Sequence, residues 1–359
     1  MKKRVCKVVV SLVIVGVLLF LAQRLLVPKY VDDIREGALI QEYYDEKNDH
    51  DVIFIGDCEV YENFSPIEMW EKYGITSYIR GSASQVIWQS YYLLEETISI
   101  EKPKVVVFNV LAMNTGSPVS EAYNRMTLDG MKLSKHKIDA INVSMMKDES
   151  LISYIFPLLR YHSRWSEINE SDFKYMFSTK KISHNGYLMR SDVLPVTSIP
   201  DPKVLGDYQF ADICYEYLDK MTKLCKDNGI ELVLVKAPSL FPAWYDEYEA
   251  QIEEYAKKNN LSYYNFLEVK DLIGLDYTKD TYDKGLHLNN AGAIKLSDYF
   301  GKILSEKFQL TDHRNDEKYK ADWQEKVDFY NEMLADQQRE LKEYGYLKSY
   351  GAKAPETNN

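Results

Sequence analysis

Val52-Ile53-Phe54-Ile55-Gly56-Asp57-Cys58 is the stretch on which the fold turns. A short, uninterrupted apolar run that stops at a glycine reads as a strand buried on both faces, as in a parallel sheet. Lys104–Val110 (KVVVFNV) repeats the pattern with more β-branched residues. Thr76–Ile79, Glu231–Lys236 and Ser262–Asn265 give three further short strands. Between them run helical periodicities: Ile67–Tyr73, Ser84–Ser99, Tyr208–Asn228 stopped by Gly229, Ala243–Asn259 and Asn290–Phe308. Strands alternating with helices predict a three-layer, flavodoxin-like α/β fold with a parallel sheet.

The flanks of this core are different in kind. Lys2, Lys3, Arg4 and Lys7 precede the apolar run Val8–Ala22, and Leu25–Val27 continues it past Gln23 and Arg24. A span needs about 20 residues, so a crossing over about 7–27 requires Arg24 to snorkel to the interface. Phe20-Leu21-Ala22 makes a poor cleavage site, which favours an uncleaved signal anchor over 1–29 against a removed signal peptide. With the basic cluster inside, the remainder faces outward, giving a single-pass cell-membrane protein with an extracytoplasmic domain. Residues 30–50 read as a polar stalk and 51–310 as the domain. The Pro-punctuated stretch of about 115–205 reads as a mostly helical insert. Residues 311–359 read as a charged helix, Asp316–Tyr344, and a disordered tail from Gly351.

Composition excludes some functions. A net charge of −11 over 359 residues is wrong for a nucleic-acid partner. The histidines have no metal-ligand spacing, so neither metal nor cofactor is expected. The four cysteines, Cys6, Cys58, Cys214 and Cys225, form no disulfide framework. Cys214 and Cys225 share one helix roughly 16 Å apart along its axis. A lone thiol at Cys58, outside the membrane, calls for a chemical explanation. Twenty-nine tyrosines suit either a tyrosine-rich core or a sugar-binding face. The Trp88, Tyr91 and Tyr92 cluster has helical spacing and reads as core. Arg160, His162, Arg164 and Trp165 in the insert could contact an anionic glycan.

Chemistry in such a sheet collects at the carboxyl ends of the strands. Those ends carry Gly56-Asp57-Cys58, Arg80-Gly81-Ser82 and Asn109, and Asp283-Lys284-Gly285-Leu286-His287 precedes the last helix. In order and strand context these blocks resemble the SGNH/GDSL hydrolases, over roughly residues 50–115 and 205–308. Cys58 stands where that family has its serine. With the anchor, the chain resembles the DltD-like and polysaccharide O-acyltransferase branch. The resemblance implies acyl transfer, acetyl or D-alanyl, on a cell-envelope polysaccharide, with a multi-spanning membrane acyltransferase as partner. It implies Cys58 as nucleophile, His287 as general base and Asp283 as the orienting carboxylate. Asp283 lies four residues before the histidine where the family has three, which leaves Asp280 as an alternative. The oxyanion hole would combine the N–H groups of Cys58 and Gly81 with the Asn109 amide, or Asn114 in its place. A thiolate can form a thioester, but Asp57 and Glu59 beside Cys58 would raise its pKa. A carbohydrate esterase or deacetylase, and a non-catalytic scaffold or glycan-binding adaptor with an inert Cys58, remain open.

Overall fold

The computed structural model describes residues 2–28, 39–178 and 181–350. Helix α1 (Lys2–Leu26) is long and apolar enough to cross a membrane, and none of it is fully buried. After it come α2 (Leu39–Glu42), β1 (Val52–Gly56), α3 (Cys58–Tyr61), α4 (Pro66–Tyr73), β2 (Ser77–Gly81), α5 (Ile87–Ile100) and β3 (Val105–Asn109). The insert holds α6 (Glu121–Leu128), α7 (Lys135–Ser144), α8 (Leu151–Ile155), α9 (Leu158–Tyr161) and α10 (Glu170–Lys174). The chain closes with α11 (Asp212–Asn228), β4 (Glu231–Lys236), α12 (Asp246–Asn259), β5 (Ser262–Asn265), α13 (Lys270–Ile273), α14 (Asn290–Lys307) and α15 (Glu317–Tyr344).

The five strands pair in parallel in the order β2-β1-β3-β4-β5. This is the flavodoxin-like order, which reverses between β1 and β3 and opens a crevice there. Strand β1 feeds both cores through its pleat. Val52 and Phe54 pack with Phe64, Trp70, Phe300 and Trp323 on one face; Ile53 and Ile55 pack with Trp88, Leu218 and Ile252 on the other. The Trp88, Tyr91 and Tyr92 group is core, around Tyr217.

The polar segment ahead of β1 is not a stalk along its whole length. Leu39 and Ile40 are buried at the start of α2, and Tyr43 is buried just after it. Its charges enter the domain in bonded pairs: Glu42 accepts from the N–H groups of Ile182 and Ser183, and His50 lies between Glu46 and Glu101. Only part of the expected stalk therefore remains, and residues 29–38 lie outside the described residues, as does the expected tail from Gly351. Nor is the C-terminal helix an appendage. Trp323 of α15 stacks on Trp70 of α4 at 4.7 Å between ring centroids.

The far end of the insert does structural work at the sheet edge. Asn185 O accepts from Ile79 N of edge strand β2, and Gly186 lies so close that a Cβ there would sit 2.0 Å from Ile79 O. Glycine is the residue that permits this approach, at φ +84°. The strap then bonds Leu188 N to Tyr61 O, Leu194 N to Thr281 O and Asn290 N to Arg190 O. It thus ties β2, α3 and the loop before α14 into one unit.

Candidate active site

Cys58 begins α3 immediately beyond β1, at the crevice where strand order reverses. Asp57 caps the helix by accepting from Glu59 N at 3.1 Å. The turn leaves Cys58 half-buried while Asp57, Glu59 and Val60 are buried. Gly81, in register with Gly56, is needed here: a Cβ would lie 2.9 Å from Gly56 O.

His287 reaches the same place from the other end of the chain. Its Nδ1 lies 2.6 Å from Asp283 Oδ2, and its backbone N–H donates to Asp283 Oδ1 at 2.8 Å. The extra residue between them is absorbed by backbone geometry. Lys284 and Gly285 take positive φ values of 66° and 96°, and Gly285 N donates to Thr281 Oγ1 at 2.7 Å. The four-residue gap is therefore a left-handed turn that leaves the carboxylate on the imidazole. Asp280 is engaged elsewhere, with Lys295 Nζ at 2.6 Å and Asp276 N at 2.7 Å.

Cys58 and His287 are close enough to perturb each other's proton affinity through charge and hydrogen bonding. Nε2 of His287 is nevertheless buried, with no hydrogen-bond partner of acceptable geometry among the described residues. Burial pushes the Cys58 thiol up to about 11; His287 pulls against it, and Asp57 and Glu62 push further. For His287, burial lowers the affinity, but Glu62, Cys58 and Asp283 together raise it well above the ordinary value. The surroundings thus favour the protonated form of each group.

Glu62 is the residue that the sequence did not single out. Its Oε2 lies 3.5 Å from His287 Nδ1, and Tyr282 donates its hydroxyl to the same oxygen. Tyr282 stacks on His287, its ring planes at 17° and centroids at 6.1 Å. The available signal was spacing, since Glu62 follows Cys58 by one helical turn. Asn63 is fully buried; its Oδ1 accepts from Leu288 N at 2.7 Å and joins the two loops. Glu62, Asp283 and His287 each bring one ligand atom within 4.8 Å of the others, so this group could hold a cation. The 2.6 Å Asp283–His287 contact is equally that of a carboxylate orienting an imidazole.

Asn109 departs from its expected role. Its amide donates to Asp57 Oδ1 at 3.3 Å and Glu59 Oε2 at 2.9 Å, and its Oδ1 accepts from Ala237 N. Both amide hydrogens are committed to carboxylates, so this rotamer offers nothing to an acyl oxygen. Asn114 is exposed and bonds to Thr115. Beneath the site, Lys236 Nζ, fully buried, meets Glu59 at 2.8 and 3.1 Å and Ala237 O at 2.7 Å.

No family model matches the chain, and no curated protein matches it in sequence. Among solved structures it is similar to a GDSL-like lipase from Bacteroides thetaiotaomicron, with 14% identity over 71% of this chain and 88% of that one, at a TM-score of 0.33. A protein described as a candidate acylhydrolase from Bacteroides fragilis is similar at 13% identity, over 73% and 90%, with a TM-score of 0.34.

Proposed function

We propose that this protein is a membrane-anchored, extracytoplasmic acyl-transfer enzyme of SGNH type working through Cys58, on acetyl or D-alanyl esters of a cell-envelope polysaccharide. The observation that carries the reading is His287: Nδ1 held by Asp283, and a buried, unbonded Nε2 beside the Cys58 thiol. His184 also buries a ring nitrogen without a partner, so what sets His287 apart is the Cys58 thiol beside it together with the Asp283 carboxylate on Nδ1.

In the reaction, neutral His287 takes the thiol proton on Nε2 as sulfur bonds to the acyl carbon. The tetrahedral adduct collapses, the ester oxygen leaves with that proton, and a thioester remains on Cys58. An acceptor hydroxyl, from polymer or water, then yields its proton to Nε2 and attacks the thioester. The sulfur leaves and regains the proton. Asp283 holds the imidazole tautomer and balances the imidazolium. The N–H groups of Cys58 and Gly81 are the remaining donors for the oxyanion. Because His287 holds its proton tightly at rest, turnover rises with pH until Nε2 is free. A multi-spanning membrane acyltransferase is the partner that would supply acyl groups.

The test is intact-mass measurement of the purified chain after exposure to an activated acetyl ester. A hydroxylamine-labile acetyl adduct is expected on the wild type, absent from Cys58→Ala, and slowed about 10²–10⁴-fold in His287→Ala. A thiol whose proton affinity is raised by burial also suits an adaptor that keeps the fold without the reaction. Cys58 that stays unlabelled and resists small thiol reagents would establish that second reading and remove the enzyme.

A further inference from the structure

Residues 2–20 of α1 are exposed, and only from Leu21 onward does the helix become half-buried. Nineteen helical residues rise about 28 Å, close to the ~30 Å of a bilayer's hydrocarbon. What half-buries residues 21–26 is the insert. Helices α9 and α10, and the 3₁₀ turn His162–Ser166 between them, pack against α1. Two arginines clasp the joint from opposite sides: Arg24 Nε donates to Met176 O at 2.6 Å, and Arg164 donates to Leu26 O at 2.8 Å. Arg164 is itself held by Asp172 through contacts of 2.8 and 2.9 Å.

Around this joint the insert exposes large apolar side chains. Phe156, Leu159, Trp165, Phe173 and Phe177 are all more than half exposed, Trp165 at 72%. They lie on or beside the very elements that contact the end of α1, at the level where the helix leaves the hydrocarbon. Arg160 and Lys174 stand among them, also exposed. Aromatic rings with nearby basic groups are the composition of a membrane interface, where an apolar body and a polar surround are both met. In water the same cluster would be an apolar patch without function.

We infer that α8–α10 form a second membrane attachment, lying in the headgroup region of the bilayer that α1 crosses, with Trp165, Phe156, Phe173 and Phe177 inserted at the acyl boundary. The occupant is lipid because the face is continuous with the end of the apolar helix. The anionic-glycan role considered for Arg160, His162, Arg164 and Trp165 gives way here, since Arg164 is spent on Leu26 O and Asp172. The inference rests on reading α1 as a membrane anchor. It holds the domain against the membrane instead of leaving it to swing on a tether.

Tryptophan fluorescence tests it on the full chain. Helix α1 contains no tryptophan, Trp70, Trp88 and Trp323 are buried, and Trp244 is half-buried, so Trp165 is the one accessible to lipid. The chain is reconstituted into phosphatidylcholine vesicles with or without bromine on the upper acyl carbons. Quenching is expected in the wild type and should be lost in Trp165→Phe. In a Phe173→Ser/Phe177→Ser chain, quenching of Trp165 should weaken. Equal emission from brominated and plain vesicles in a chain that resists alkaline carbonate extraction overturns the second attachment and leaves the anchor standing. If that unquenched chain is also dimeric, the face belongs to a second copy. Release of the chain by alkaline carbonate overturns the anchor, and this inference falls with it.

Discussion

Two clusters of polar side chains meet at the end of β1, and they are built on opposite plans. Asp57 and Glu59 point inward, into a network with Asn109 and Lys236 in which donors and carboxylates are matched. Cys58, between them in sequence, faces the other way, toward His287, Asp283 and Glu62, where Nε2 has no hydrogen-bond partner of acceptable geometry among the described residues. A satisfied network rigidifies; an unsatisfied nitrogen beside a thiol is a group held ready. The contrast also revises which acids govern the thiol. Glu59, a sequence neighbour, is neutralised by Lys236, whereas Glu62, a turn further on, acts on both Cys58 and His287.

The sharpest way to break this contrast is to remove one member from each side and measure urea unfolding. Lys236→Met strands Glu59 as a buried charge, and a loss of roughly 3–5 kcal/mol is expected. Cys58→Ala should cost less than about 1 kcal/mol while abolishing acylation. Comparable losses from the two variants would mean that Cys58 is simply another core residue.

A second effect separates the groups by pH. Burial, followed by the charge of Glu59, pushes Asp57 from 3.8 up to about 7. A carboxyl that holds its proton more tightly when folded loses stability as pH rises between those values, because unfolding then releases the proton. Asp57→Asn keeps an oxygen for the Glu59 N–H and carries no charge. Its melting temperature should match the wild type near pH 4 and exceed it at pH 8, by an amount equivalent to roughly 4 kcal/mol. Parallel curves for the two proteins would show that Asp57 ionises freely and that the network is not closed.

The sheet was legible because β1 and β3 are apolar on both faces, which only a covered parallel strand tolerates. The placement of Cys58, Asp283 and His287 followed from strand ends. Other features were hidden for physical reasons. Residues 39–50 read as a stalk because Glu42, Glu46 and His50 carry charge, and sequence does not show that their charges are paired inside. The strap at 183–196 has no periodicity, since backbone groups make its bonds. Asn109 looked like a donor to substrate because an amide at the end of an apolar strand needs a partner; that Glu59 and Asp57 supply it depends on which way α3 turns. Glu62 went unnoticed because nothing in its own stretch of sequence shows that His287, 225 residues on, lies beside it.

Glu62 gives the finest cut, because it acts by charge and takes no part in the bonds that form or break. Its carboxylate raises the proton affinity of His287 and, to a lesser degree, that of Cys58. Replacing it by glutamine keeps the shape and an acceptor for Tyr282 while removing the charge. Both affinities should fall, so the alkaline rise in acylation rate should move toward lower pH by about 1 unit. The rate at the high-pH plateau should stay close to that of the wild type, since Asp283 still orients the imidazole. A merely structural role would lower the plateau and leave the midpoint where it was. An unmoved midpoint with a full plateau would mean that Glu62 is screened from Nε2, and that the imidazolium at rest is held by Asp283 alone.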